Sequence, residues 1–475
     1  MQMAQVYETA HLTLIATAGK DPSYGLPGVR TGTREMPCEQ VGPVLLIPYP
    51  ESSPMYDISD SQWASRAWTY QECYFSRRRL FFLDRQVVFV CNSCTGNETY
   101  RKGDAGQQAL KSFSTGASFQ PHSGWFPVDL AADNTLSVPS DVSSPAGPRT
   151  NWKWRSDKIV QGMTTMAQYT KRTLTHQSDA FKAISGALNT FARHDLRHVW
   201  GVPFGQISSN LEENFCMERH EIALAWYHAS PCLRGSGFPS WSPLGWIGPI
   251  SWYQERHAGD LMRKSLVENP VTVKATGIDL VTEKGCFPLS SYVQLETDRA
   301  DLPQGFLVSS RTAPLTLVTM PKFEVPGWAV RTEHDYGVGL RVHDTTEALL
   351  APFWDKAPDP SSMGSLKGLL LIGANHQQID MDRLRNRREG SQAILLILQL
   401  CGDHYERVGV VELPPNADDR TTVAFRRIDG QAGAPLKSPK ASITSSQENL
   451  LDADDRIHAT RWWWHTLAPD TVFLK

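Results

Sequence analysis

Apolar and polar residues repeat with different periods in different parts of the chain. At the start, helical spacing is followed by short apolar runs, and after a polar stretch apolar residues recur at steps of three and four. Beyond these, short alternating segments are separated by Gly and Pro. A period of 3.6 indicates a helix and a period of two indicates a strand, so we predict a multidomain α+β chain. The predicted parts are an α/β module at 1–95, a linker or disordered loop at 96–150, a helical region at 151–230 and a β-rich C-terminal region at 231–475.

The first module begins in regular structure. Val6, Tyr7 and Ala10 have helical spacing. The apolar, β-branched run from Leu12 to Ala18 predicts a fully buried strand, and Val44 to Pro48 predicts a second, shorter one.

A helix and a hairpin are predicted next. The amphipathic helix begins near Asp60 or Ser61, because either side chain can cap its first turn. Apolar runs at 80–83 and 86–91 then flank the polar pair Asp84-Arg85. This pattern predicts two antiparallel strands joined by a tight turn.

In the middle of the chain the residue composition and the hydrophobic periodicity change twice. Gly, Ser, Pro, Asp and Thr dominate 96–150, which is typical of a linker. Helical periodicity returns from Trp152 to about His194, where Asp179 is a plausible cap for the second helix. A further helix is predicted from Glu218 to about His228.

Repeated short strands with Gly and Pro turns are typical of an all-β region, folded as a sandwich or as a barrel. The predicted strands begin at Val271, Ser291, Gly337, Gly368, Ala393, Tyr405 and Thr421. Residues 430–455 are polar and are predicted to be mobile.

Composition narrows the class of protein. The chain has 475 residues, 41% of them apolar, with 47 Lys and Arg against 50 Asp and Glu, which gives a net charge of -3. That balance disfavours a dedicated nucleic-acid binder. Eight scattered cysteines suit a reducing compartment. No apolar run reaches the roughly 20 residues that span a bilayer, and no secretory signal is visible, so the predicted location is cytoplasmic.

Glu72 is the candidate catalytic residue. It follows Trp68 by four positions, which places both side chains on one helix face. Ser65 and Arg66 precede Trp68 by three and two positions. An indole could then wall a site whose acid is Glu72. The plainer interpretation is a solvated carboxylate on a helix surface.

Other sequence patterns could indicate metal, redox or phosphate sites, but each has a simpler interpretation. Cys91-Asn-Ser-Cys94 has the spacing of half a zinc site or of a redox pair, but no second pair accompanies it, and two semi-buried thiols are the simpler interpretation. Arg77-Arg78-Arg79 could contact phosphate, although a solvated helix end is favoured. No nucleotide-binding loop or metalloprotease motif is present, so neither a metal nor a bound cofactor is predicted.

Several blocks together resemble the fungal heterokaryon incompatibility (HET) domain. The closing block of that domain is similar to Arg66–Glu72, Ser76–Phe82 and Val87–Cys91, and its preceding block to Met3–Tyr7, Ala10, Leu12–Ala16 and Asp21–Leu26. Pro239-Ser-Trp-Ser242 resembles a tryptophan-rich motif of the C-terminal regions of these proteins. The two upstream strand motifs of the domain are missing, so residues 1–95 are expected to be the C-terminal half of a HET domain, N-terminally truncated.

The resemblance implies a function. HET proteins are implicated in non-self recognition and programmed cell death in filamentous fungi, so protein partners and self-association are expected, without nucleic acid or a membrane span. The Trp-x-x-x-Glu segment also resembles a helix of Toll/interleukin-1 receptor (TIR) domains, which implies a partial α/β, flavodoxin-like fold. By that analogy Glu72 would serve NAD cleavage, NAD being a substrate rather than a cofactor, with Trp68, Ser65 and Arg66 lining the site. A degenerate, non-catalytic HET fragment is the third alternative.

Overall fold

A computed structural model describes the following residues: 2–30, 34, 39–46, 54–91, 95–98, 162–191, 196–205, 223–252, 272–274, 277–289, 303–319, 336–343, 346–350, 352–361, 365–378, 388–413, 423–427 and 467–475. Predictions for 99–161, for most of the helix from Glu218, for the strand at Ser291, for Cys94 and for 430–455 lie outside these ranges. The chain forms two compact units, Met1–Leu196 and Arg197–Lys475.

The described part of the first unit mixes helices and strands. The helices are α1 (Gln2–Thr9), α2 (Pro54–Ser59), α3 (Gln62–Ser65), α4 (Thr69–Phe75), α5 (162–170) and α6 (Lys182–Phe191), and the strands are β1 (Thr13–Ala16), β2 (Glu39–Val41), β3 (Val44–Leu46), β4 (Arg78–Phe82), β5 (Val87–Cys91) and β6 (Thr95–Asn97). Four strands form one sheet in the order β1-β4-β5-β6, while β2 and β3 form a separate hairpin.

The hairpin predicted around Asp84-Arg85 is confirmed. β4 and β5 pair antiparallel, and the Leu83 amide donates to the Gln86 carbonyl oxygen across the turn at 2.9 Å. One face of the sheet carries the core of this unit, which consists of Ile15, Ile58, Cys73, Phe81, Leu83, Val88 and Val90 with Trp63 packed against it. Ile58 of α2, Trp63 of α3 and Cys73 of α4 complete this core, together with Leu83 in the turn after β4.

The prediction that Leu12 to Ala18 is a fully buried strand is wrong. β1 pairs in parallel with β4, but it lies at the edge of the sheet, and only Ile15 of its four residues is buried. The Leu14 side chain is 58% exposed. A fully buried strand needs cover on both faces, whereas Leu14 and Ala16, on the face opposite Ile15, are exposed.

The predicted amphipathic helix is broken into α3 and α4. Ser61 caps α3, as predicted, by accepting from the Ala64 amide at 3.1 Å. Arg66 then adopts extended backbone angles, because the main chain here pairs with a distant segment. The Thr173 amide donates to the Ser65 carbonyl oxygen at 2.7 Å, and the Ala67 amide donates to that of Thr173 at 2.9 Å.

The helical middle is confirmed at α5 and α6, but one helix prediction is wrong. Trp226 and Tyr227, assigned above to a helix ending near His228, form strand β9 and pair antiparallel with Ser251 and Trp252. The Trp226 indole also donates to the Trp241 carbonyl oxygen at 3.0 Å. Tertiary pairing of these aromatic residues outweighs the local periodicity.

The second unit is rich in strands, as predicted. They are β7 (Leu196–Val199), β8 (Val202–Gly205), β9 (Trp226–Tyr227), β10 (Leu233–Arg234), β11 (Trp246–Ile247), β12 (Ser251–Trp252), β13 (Thr272–Lys274), β14 (Gly277–Thr282), β15 (Gly285–Pro288), β16 (Gly305–Thr319), β17 (Tyr336–His343), β18 (Thr346–Leu350), β19 (Phe353–Trp354), β20 (Leu366–Gln378), β21 (Arg388–Cys401), β22 (His404–Leu413), β23 (Val423–Arg427) and β24 (Ala468–Leu474). β7 begins at the last residue of the first unit.

Twelve of these strands form one sheet around the long strand β16. Its first half pairs with β14 and β24, and its second half pairs with β17 and β20. Since β20, β21, β22 and β24 also pair in sequence, five strands form a closed circuit. Leu370, Leu395, Ile397, Val408 and Trp354 are central to the buried core of this sheet.

Candidate functional site

The break between α3 and α4 builds a polar junction next to Glu72. The Thr69 hydroxyl lies 2.6 Å from the Trp63 carbonyl oxygen and 2.7 Å from that of Arg66. The same hydroxyl accepts from the Arg172 guanidinium at 3.0 Å. The buried Thr69 side chain therefore closes the turn that leads into α4 and accepts a hydrogen bond from Arg172, which follows α5.

Glu72 stands in the first turn of α4 and is half-buried. Its carboxylate accepts from the Trp63 indole N–H at 3.2 Å and is hydrogen bonded to the Tyr7 hydroxyl. Burial of the phenol, followed by the neighbouring carboxylate, raises the pKa of Tyr7. The Trp63 ring packs edge-on against Phe81 at 5.8 Å, so the indole that holds Glu72 is itself fixed by the core.

The other predicted site residues lie around this junction. Trp68 occupies the N-cap position of α4 with helical angles, one turn before Glu72, and is half-buried. The Ser65 hydroxyl donates to the Gln62 carbonyl oxygen at 2.9 Å, within its own helix. Arg66 is exposed, and its carbonyl oxygen receives the Arg172 guanidinium at 3.2 Å. The structure thus brings Trp63 to Glu72 by a direct hydrogen bond, and the roles of Trp68, Ser65 and Arg66 in a binding site stay predictions.

Sequence reasoning missed Arg172, Trp63 and Tyr7. The Arg172 guanidinium also lies over the Tyr70 ring, 5.0 Å from its centroid. Burial lowers the pKa of Arg172, and the neighbouring Cys73, Tyr70, Tyr169 and Glu72 side chains oppose that effect. A basic residue just beyond the end of a helix does not by itself predict that Arg172 contacts the Glu72 region, because solvated basic residues are common at helix ends.

The arginine run after α4 separates into exposed and buried members. Arg77 and Arg78 are exposed, whereas Arg79 is 1% exposed and donates to the Cys73 carbonyl oxygen at 3.2 Å. The prediction of a solvated helix end is therefore wrong for Arg79, since the alternation of β4 turns this side chain inward. Cys91 ends β5 half-buried.

In the second unit, the motif Pro239-Ser-Trp-Ser242 joins distant segments. The Ser240 hydroxyl donates to the Lys475 carbonyl oxygen and accepts from the Arg407 amide at 2.9 Å. The Ser242 hydroxyl donates to the carbonyl oxygen of Trp200 at 2.7 Å. Trp200 and Gly201 have positive φ in the turn between β7 and β8, so this bond holds a strained residue. The motif acts here as a structural connector.

A buried ion pair stands beside this motif. The Arg407 Nε donates to Asp355 Oδ2 at 2.7 Å, and both side chains are fully buried. The guanidinium also donates to the carbonyl oxygens of Leu224, at 2.7 Å, and Trp226, and its Cζ lies 3.4 Å from the Trp226 ring centroid. Every direction around this cation is filled by the protein's own groups, which suits a structural role.

His228 and Cys232 form a thiol–imidazole contact of 3.4 Å in the same unit. His228 Nδ1 also lies 2.9 Å from the Pro249 carbonyl oxygen. Burial lowers the pKa of His228 and raises that of the Cys232 thiol, so both groups are neutral near pH 7. A neutral pair is not an activated nucleophile. The described residues contain no cluster of three or more metal-ligating side chains.

Comparison with known proteins gives one match. Residues 1–72 match the family model described as heterokaryon incompatibility protein (HET). No curated protein and no solved structure matches the chain. Within its described part, no helix combines the length and the apolar character needed to cross a membrane. The matched residues end at Glu72, so they include α1, β1 and the junction between α3 and α4.

Proposed function

We propose that this chain, a heterokaryon-incompatibility-type protein by the match over residues 1–72, acts in non-self recognition and programmed cell death of filamentous fungi. It would act in the cytoplasm by binding protein partners. The match is the observation that carries the proposal. The partial α/β, TIR-like character of the first unit belongs to the same proposal.

The surface of the matched segment supports action through protein contacts. Nine of the thirteen large apolar side chains exposed in the described part of the chain fall between residues 6 and 56: Val6, Leu12, Leu14, Tyr24, Val29, Val41, Val44, Leu46 and Tyr56. So many exposed apolar side chains within the matched segment are the feature of its surface that supports binding to other proteins. The second unit contributes four such side chains from a longer sequence.

The test is inducible expression of the full chain in a filamentous fungus, with cell viability and cellular NAD followed together. The matched variant is Glu72→Gln, which removes the charge and keeps the shape of the side chain. Loss of viability with both proteins, at unchanged NAD, is the result expected for action through protein contacts. Unchanged viability at high expression of both proteins would overturn the proposal.

A second candidate function is NAD hydrolysis to nicotinamide and ADP-ribose. The observation that favours it is a half-buried carboxylate at a helix start, flanked by the Trp63 indole and the Tyr7 phenol. Glu72 could stabilise an oxocarbenium-like ribose as the bond to nicotinamide breaks, and water would then complete hydrolysis. The Trp63 hydrogen bond would have to be exchanged for one to the substrate, which makes a structural role the simpler role for Glu72.

Purified protein incubated with NAD separates these alternatives. If Glu72 is catalytic, Glu72→Gln lowers nicotinamide release at least about 100-fold, the scale of one essential catalytic group. Glu39→Gln, at an exposed carboxylate on β2, serves as the control and should release nicotinamide at the unaltered rate. No release from the unaltered protein would leave Glu72 as a structural group in a non-catalytic HET fragment.

A further inference from the structure

The break between α3 and α4 has no cause in the local sequence. Residues Gln62–Phe75 include neither glycine nor proline, the residues that disfavour a helix most. Their pattern predicts one continuous helix, yet Arg66 has extended angles, φ -88° and ψ 133°, and separates α3 from α4. The break is therefore imposed by contacts from elsewhere in the chain.

The pair Arg172-Thr173, which we call the strap, supplies those contacts. The Thr173 amide donates to the Ser65 carbonyl oxygen at 2.7 Å, and the Ala67 amide donates to the Thr173 carbonyl oxygen at 2.9 Å. The Thr173 hydroxyl also donates to the Ser65 carbonyl oxygen, at 3.0 Å, and the Arg172 guanidinium donates to that of Arg66, at 3.2 Å. In a continuous helix these main-chain groups bond to residues four positions away. The strap thus takes the place of the partners that the helix itself would provide.

The strap also decides whether Trp63 can reach Glu72. The two residues are nine positions apart, and in the broken helix the indole donates to the carboxylate at 3.2 Å. In a continuous helix nine positions make about two and a half turns, which puts the two side chains on opposite faces and about 14 Å apart along the axis. Trp68 stays one turn before Glu72 in either form. The Trp63 hydrogen bond therefore exists only while the helix is broken.

We propose that the strap is an autoinhibitory device for Glu72. While it is bound, the helix is broken and Trp63 holds the carboxylate. On its release, Gln62–Phe75 forms one helix, the indole turns away, and Glu72 accepts a hydroxyl group of the ribose in NAD. The choice of NAD rests on the second candidate function, NAD hydrolysis. The Trp63 bond is then broken by release of the strap, so the ligand does not have to displace the indole itself.

The strapped form is the resting form of this device. The Trp63 ring packs edge-on against Phe81 at 5.8 Å and lies against the core of the first unit. Release gives up that packing together with the bonds to Thr173, and it regains only the main-chain bonds of the helix. The released form is therefore the minor one, and a ligand that binds only this form shifts the population toward it.

A disulfide that locks the strap is the first experiment. Arg66 and Thr173 lie directly opposite each other in a parallel bridge, and both side chains are exposed, so Arg66→Cys with Thr173→Cys places two thiols within reach. We expect the oxidised protein to release nicotinamide from NAD at least about tenfold more slowly than the same protein after reduction, because the competent form is no longer populated.

The control pair is Ser309→Cys with Thr471→Cys. These two hydroxyl groups lie 3.0 Å apart on neighbouring strands of the second unit, so the same chemistry closes a disulfide far from Glu72 in the sequence. Its oxidation should leave nicotinamide release unchanged. Adding Trp63→Phe to the locked protein should restore release, because phenylalanine cannot donate to Glu72. A strap that only stabilises the fold would not give this rescue.

Hydrogen exchange tests the release of the strap without any enzyme activity. In the reduced double variant and in the unaltered chain, we expect the Thr173 amide to exchange faster than the amides of α6, because the strap opens while the unit stays folded. Oxidation of the Arg66→Cys, Thr173→Cys protein should slow this exchange at least about tenfold. Exchange of Thr173 that is as slow as that of α6 in the unaltered chain would overturn the proposal.

The device and the hydrolase can fail separately. Equal nicotinamide release from the locked and the reduced protein would reject the device and keep NAD hydrolysis. Exchange that the disulfide slows, with no nicotinamide released by any of these proteins, would reject hydrolysis and the inhibitory role but keep the two forms of the helix.

Discussion

At the scale of single residues, the buried His198 makes the stability of the chain sensitive to pH. It lies in β7 with 2% of its surface exposed, and burial lowers its pKa to about 3. An imidazole in the unfolded chain has a pKa near 6.5, so protonation favours unfolding. Stability is therefore complete above about pH 7 and falls as the pH drops from about 6.5 toward 3. Between pH 7 and pH 5 the loss should be about 2 kcal/mol.

Urea unfolding at pH 7 and pH 5 measures this loss. His198→Leu should reduce the difference between the two pH values by about 2 kcal/mol, whatever its effect on stability at pH 7. His176→Gln, at an exposed histidine, is the control and should keep the full difference. An equal pH dependence for His198→Leu and the unaltered chain would show that the acid sensitivity has another source.

Glu72 shows how far residue spacing alone could predict the candidate site. The spacing of four from Trp68 correctly puts the two residues one turn apart, because Trp68 has helical angles. The indole that binds the carboxylate is nevertheless Trp63, nine positions earlier. That contact depends on the break between α3 and α4 at Arg66, where the main chain pairs with Thr173, and this pairing is not encoded in the local pattern.

At the scale of elements, the break between α3 and α4 depends on Thr69 and Arg172. Thr69→Val keeps the shape of the side chain but removes the hydroxyl that accepts from the half-buried Arg172 guanidinium. We expect a loss of about 1–2 kcal/mol in the free energy of unfolding, because one hydrogen bond of a half-buried cation is then unmade. Urea unfolding at pH 7 is the measurement.

Ser65→Ala is the matched control for Thr69→Val. The Ser65 hydroxyl makes only a local bond to Gln62, so its removal should cost less than about 0.5 kcal/mol. Combining Thr69→Val with Arg172→Met should cost less than the sum of the single changes, since both remove one interaction. If Thr69→Val is as mild as Ser65→Ala, the junction is not held in this way.

Elements whose formation depends on neighbouring residues in the sequence could be predicted. Elements whose formation depends on residues far away in the sequence could not. The Ser61 cap and the turn at Asp84-Arg85 need only their own neighbours. The exposure of Leu14 depends instead on what covers the sheet. β16 was missed because Pro314 and a polar stretch interrupt its apolar pattern, and its pairing with β24 joins residues more than 150 positions apart.

At the scale of the whole molecule, the C-terminal strand β24 ties together parts of the second unit that are far apart in the sequence. β24 inserts beside β16, and the Lys475 amide donates to the Tyr405 carbonyl oxygen at 2.9 Å. Ser240 accepts from Arg407 and donates to Lys475. The motif Pro239–Ser242 thus connects strands of the closed circuit, through Arg407 of β22, with Trp200 in the turn between β7 and β8.

The Arg407–Asp355 pair is expected to be the most sensitive point of this arrangement. Asp355→Asn removes the counter-charge and leaves a fully buried guanidinium, which should cost about 3–5 kcal/mol in the free energy of unfolding. Lys367→Met removes the partly exposed pair with Asp470 and should cost less than about 1 kcal/mol. Unfolding in urea, followed by tryptophan fluorescence, compares the two.

The double variant tests the pairing directly. Arg407→Met combined with Asp355→Asn should cost less free energy of unfolding than the sum of the two single changes, because the second change removes a group whose partner is already gone. Strict additivity, or a cost for Asp355→Asn no larger than for Lys367→Met, would mean that the carbonyl oxygens of Leu224 and Trp226 satisfy the cation without the carboxylate.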